Sequence, residues 1–242
     1  MKKMTLLFAA AAIAALGLLT SFRKGEKGTT MATSQFEGVA ISTHIKTTIK
    51  VQEGSEPSVM INGPEDEKED IKIKIENNVL SIYTDDTYSG WNKQRDHSHL
   101  TAEITLPKFT SLSISGSSPV SVSGTTAADE FELEIGGSGT AVFDNVHVTT
   151  FSSSVSGSGS ARITAGNAAN ARYSISGSGS IKASDLKANE VKASVSGSGK
   201  CEVYCTSVLT AVISGSGTVA VAGHPGTINK DISGSGCVKQ IN

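Results

Sequence analysis

An all-β fold, a parallel β-helix or closely related β-solenoid, is predicted by three observations in this sequence. The first is a repeat. Ser-Gly-Ser-Gly units, anchored on their first glycine, recur at Gly116, Gly137, Gly157, Gly177, Gly197, Gly215 and Gly234, with spacings of 21, 20, 20, 20, 18 and 19 residues. The second is an apolar column. Two positions before each anchor stand Ile114, Ile135, Val155, Ile175, Val195, Ile213 and Ile232, all β-branched. The third is strict alternation. Even offsets from the anchor are nearly all apolar or Gly, whereas the residue after each anchor is Ser in every unit (Ser117, Ser138, Ser158, Ser178, Ser198, Ser216, Ser235). Period-two alternation marks strands with one buried face, and the glycine content disfavours helix.

One unit of about 20 residues cannot bury its own apolar face, but stacked units turn each column into a continuous internal ladder. Rungs of the stack are expected about 4.8 Å apart. Both glycines of a unit fall on the inward parity, where they permit a bend or a close backbone approach between two short strands. A β-sandwich of hairpins with Gly-Ser-Gly turns is the alternative; seven near-equal units with matching columns favour stacking.

Along the chain, residues 1–21 read as an export signal. Lys2 and Lys3 precede an uncharged apolar run from Leu6 to Leu19, followed by small residues. That run of 14 residues is short of the ~20 needed to cross a bilayer, so no transmembrane segment is expected after cleavage. Residues 22–35 are polar and Gly/Thr-rich, suited to a flexible tether. Residues 36–106 hold alternating runs, a charged turn at Glu65–Asp70 and a tight turn at Asn77-Asn78. They are expected to continue the same sheets as an N-terminal β cap, because solenoids need atypical end units. Residues 107–242 form the repeat solenoid.

Charge and cysteines narrow the function. Loss of the signal moves the formal net charge from −2 to −4 with no basic cluster, which does not favour a nucleic-acid partner. Three cysteines are too few for a disulfide framework. Cys201 falls in an inward column between Ile181 and Val219 and is expected to be buried, unbonded to the outward-facing Cys237 two rungs on.

The repeated I/V-S-G-S-G units, preceded by the I-x-L-P segment Ile104–Pro107 and an N-terminal strand region, resemble the head GIN domain family, described as auto-transporter adhesins and common in exported proteins of Bacteroidota. The resemblance covers about Phe36 to Val238. It implies a β-helical protein of the periplasm, cell surface or medium with an adhesive role, and it carries no catalytic residues to this chain. An auto-transporter has a membrane barrel of many strands; none is expected in the eight residues after Gly234.

No constellation indicates catalysis, a cofactor or a metal. Ser-Gly-Ser-Gly lacks the Lys-Ser/Thr end of a phosphate loop, and no histidine recurs beside the serines. Asp85, Asp86 and Asp96 share one polar loop, which does not position an acid–base pair. His97 and His99 make two ligands at most. Two binding surfaces remain. Tyr88 and Trp91, the single tryptophan, lie in the loop from Asp85 to Ser98 and can stack on a sugar, dock on a protein or cover the solenoid end. The outward ladder through Ser158, Ser178 and Ser198 can hydrogen-bond a glycan, an envelope protein or water. The function expected is a non-catalytic extracytoplasmic binding or scaffold protein, adhesin-like, with a polysaccharide-active enzyme or a purely structural envelope protein as alternatives.

Overall fold

The computed structural model describes residues 22–25, 28–32, 35–84 and 99–241, the first two stretches by their backbone. The segment read as an export signal and the loop carrying Tyr88 and Trp91 lie outside the described residues.

The repeat forms a β-solenoid whose strands pair in parallel. Its strands are β9 (Ser111–Gly116), β10 (Pro119–Gly137), β11 (Thr140–Gly157), β12 (Ser160–Ile163), β13 (Gly166–Gly177), β14 (Ser180–Gly197), β15 (Lys200–Gly215), β16 (Thr218–Ala222), β17 (Thr227–Gly234) and β18 (Cys237–Gln240). The register runs Ile114, Ile135, Val155, Ile175, Val195, Ile213, Ile232 without a slip. Six of these side chains are buried, as the column requires. Ile232 is the exception, 39% exposed. It belongs to the final described rung, so no following rung covers it.

The glycines explain the motif. Gly157 has φ +112°, a left-handed conformation that L side chains rarely adopt. Two residues on, a Cβ at Gly159 would stand 2.6 Å from Ile135 Cγ2 and 2.8 Å from the Gly139 carbonyl of the preceding rung. The first glycine turns the corner; the second lets adjacent corners nest. The degenerate first unit obeys the same geometry. Ser118 replaces the second glycine and is fully buried, because its Oγ donates to the Thr43 carbonyl at 2.7 Å.

Core volumes are traded within each rung. Phe131 and Phe151 stack with centroids 5.9 Å apart, and Phe151 meets Tyr173 at 6.1 Å. Where the large Phe151 fills one inward position, the next along the strand is the small Ser153. One rung on, Ala171 and Tyr173 reverse the order.

The N-terminal region joins the same stack out of chain order. Its strands are β3 (Gly38–Ser42), β4 (Lys46–Val51), β5 (Ser58–Asn62), β6 (Ile71–Glu76), β7 (Val79–Thr84) and β8 (Thr101–Leu106), with α1 (Glu65–Lys68) in the charged turn. β3 lies between β7 and β9, and β4 lies between β8 and β10, all parallel. The chain therefore lays down an inner rung first and returns to add the outer one beneath it. β6 then folds back antiparallel on β7 through Asn77 and Asn78, both at positive φ. β5 does the same on β8. Within residues 22–35, β1 (Phe22–Gly25) and β2 (Gly28–Ala32) pair antiparallel, and β2 pairs antiparallel with β5. β5 offers that edge because its other side is taken by β8.

Candidate binding groove on the outer sheet

Each rung bends at its Ser-Gly-Ser-Gly corner. Ser158, Ser178 and Ser198 stand one above another there, exposed, with their backbone N–H groups donating to the glycine carbonyls of the preceding rung at 2.9 Å. Their hydroxyls point outward as a ladder. In the N-terminal part the same corner is built differently. Ser42 pairs with Tyr83 and Lys46 with Thr101, so Thr43–Ile45 occupy the corner of one rung. In the adjacent rung the chain leaves this corner after Thr84 and is described again from His99. His99 pairs through Nδ1 with Glu67 Oε1 at 3.2 Å, and His97 lies outside the described residues. Among the described residues no group of three or more His, Cys, Asp or Glu side chains is placed to hold a metal ion.

A groove of about 310 Å³ opens on the flat face that leads into the corner, not on the corner ladder itself. It is lined by Glu132, Leu133, Ser152, Ser153, Ser154, Arg172, Tyr173, Ser174, Lys192 and Ser194. These residues come from β10, β11, β13 and β14, in register as Glu132, Ser152, Arg172, Lys192 along one outward column, and as Ser154, Ser174, Ser194 along the next. The short serines leave the floor low, and the long side chains of Glu132, Arg172 and Lys192 make the walls. Glu132 is the only carboxylate in the lining, and there is no histidine.

The wall beneath is apolar with two exceptions. Ser153 Oγ and Tyr173 Oη are buried and meet no hydrogen-bond partner in the protein. Burial pushes the Tyr173 phenol well above its usual range, and the neighbouring Cys201 adds to the shift. Burial likewise raises the Cys201 thiol, with Glu202 contributing. Burial therefore favours the neutral form of both groups.

Sequence reasoning settled on the invariant serine columns and passed over Glu132, Arg172 and Lys192. The signal was present: their column passes from Glu through Ser to Arg and Lys on successive rungs.

The comparisons agree with this architecture. A putative adhesin of Bacteroides fragilis, known from its crystal structure, is similar with a TM-score of 0.78 at 23% identity, over 90% of this chain and 98% of that one. A putative lipid binding protein of Parabacteroides distasonis gives 0.69 at 22% identity, over 89% and 96%. A putative adhesin of Parabacteroides merdae gives 0.68 at 21% identity, over 89% and 95%. At these identities the likeness concerns the fold. No curated protein matches the chain. The family model for the putative auto-transporter adhesin, head GIN domain, matches residues 35–225, and with that span covered the chain belongs to the head GIN domain family.

Proposed function

We propose that this chain is an exported, non-catalytic binding protein of adhesin type that holds a glycan partner on its outer sheet. The observation that carries this reading is the groove between Glu132 and Ser194: open on one sheet face, rich in hydroxyls, and rigidly spaced by strand register. A hydroxyl row with ionic walls suits the repeated donors and acceptors of a saccharide. Hydrolysis of a glycoside by the usual route needs two carboxyl groups flanking one bond, and the lining offers one. The family's adhesin description supports the same class of role. No described helix is long and apolar enough to cross a membrane.

A glycan array, joined to a pull-down from cell-envelope extract, tests this. Retention of a saccharide or a glycan-bearing envelope component, with no release of reducing ends, is the expected result. Release of reducing ends that stops in Glu132→Gln would overturn the non-catalytic reading.

A further inference from the structure

The groove has an unusual charge arrangement. Arg172 and Lys192 face outward at the same offset of adjacent parallel strands, about 4.8 Å apart by strand spacing. Like charges in that relation destabilise a sheet. Neither forms an ion pair among the described residues, whereas Lys74, Lys108 and Lys200 are paired with Glu76, Glu37 and Glu202. The next residue in their column is Thr210, so no acid follows to compensate. The same Arg-then-Lys order occurs at Arg162 and Lys182 on another face, where Glu202, itself paired with Lys200, follows in register. Those two residues do not line the groove.

A local rule broken without compensation marks a site whose benefit is elsewhere. Resting on the proposed glycan-binding role, we infer that the groove selects saccharides bearing a carboxylate. Arg172 supplies the planar fork that matches a carboxylate in two parallel hydrogen bonds. Lys192 adds a second positive charge one rung away. Ser152, Ser154 and Ser174 lie beside the fork to exchange hydrogen bonds with ring hydroxyls. Glu132, two rungs from Arg172 and about 9.6 Å from it by strand spacing, accepts from a sugar hydroxyl at the far end. The volume of about 310 Å³ sits at the low end of small-ligand pockets. It suits a short stretch of saccharide and not a folded partner.

The test is calorimetric titration of the full chain with oligogalacturonate, a neutral dextran oligosaccharide and dextran sulfate. Oligogalacturonate should bind best, and its affinity should fall in high salt. Arg172→Ala should weaken it by about tenfold or more, and Arg172→Lys by nearly as much, because the charge stays and the fork is lost. Arg162→Ala should leave it unchanged. The melting temperature of Arg172→Ala should be equal to or above that of the parent, which excludes misfolding as the cause. Equal loss in Arg162→Ala, or dextran sulfate binding as tightly as oligogalacturonate, would mean bulk positive charge and overturn the inference. Binding of neutral saccharides that ignores Arg172 would sink the acid selectivity and leave the glycan-binding role standing. A chain that binds no saccharide in either this titration or the array would remove both.

Discussion

Ile175 and Ile232 hold the same place in the repeat, yet one is 1% exposed and the other 39%. The difference lies entirely in their neighbours. Ile175 sits between Val155 and Val195, whereas Ile232 has Ile213 on one side alone. The two ends of the stack are also finished differently. At the N-terminal end, antiparallel β6 lays Ile71, Ile73 and Ile75 against the core and turns Lys72 and Lys74 to solvent. At the C-terminal end no antiparallel strand closes the last described rung. Lys230 instead occupies an inward place that Ala211 holds one rung earlier, and Gln240 ties back to the Gly223 carbonyl at 2.8 Å. An inward-facing charge on an edge strand discourages further strand addition. In a solenoid, then, burial belongs to position in the stack as much as to residue type.

The sharpest way to break this comparison is to place the same charge at both sites. Ile175→Asp buries an unpaired carboxylate and should cost about 4 kcal/mol or more. Ile232→Asp should cost less than about 1 kcal/mol. Equal denaturation midpoints for the two variants would mean that the terminal rung is covered or that the inner column is not dry.

The glycines allow a second contrast. Gly159→Ala drives a methyl into Ile135 and the Gly139 carbonyl and should destabilise by about 1–3 kcal/mol. Gly226, whose Cβ would come no nearer than 3.8 Å to the Ser207 carbonyl, should accept Ala within about 0.5 kcal/mol. Urea titration of both variants measures the difference directly.

Smaller and more gradual is the effect of pH. Cys201 keeps its proton in the folded chain beyond the ordinary thiol value of 9.0. The unfolded chain gives up that proton first, so stability is full below about pH 9 and declines as pH rises above it, by up to about 1.4 kcal/mol per unit from this group. Cys201→Val should flatten that part of the profile. In the same samples a thiol reagent should modify the exposed Cys237 in the native protein, and the buried Cys201 and Cys205 on unfolding. Rapid native labelling of Cys201 would show that the interior rungs open as readily as the terminal one.

Much of this molecule was legible before any coordinates. Period-two alternation is a local property of a strand, and a 20-residue recurrence can be counted, so the inward column, its register and the place of Cys201 between Ile181 and Val219 followed from the chain alone. Three things did not. The interleaving of β3 and β4 between rungs that come later in sequence depends on which edges are free when the sheet assembles, and no local pattern encodes that. The exposure of Ile232 depends on a neighbour that its own repeat does not contain. The groove is assembled from Glu132, Ser152, Arg172 and Lys192, each 20 residues from the next in sequence and adjacent only through stacking. The conspicuous serines led to the corner ladder at Ser158, Ser178 and Ser198. Tertiary stacking adds a groove on the neighbouring face, where side chains of unequal length in one column leave room between them.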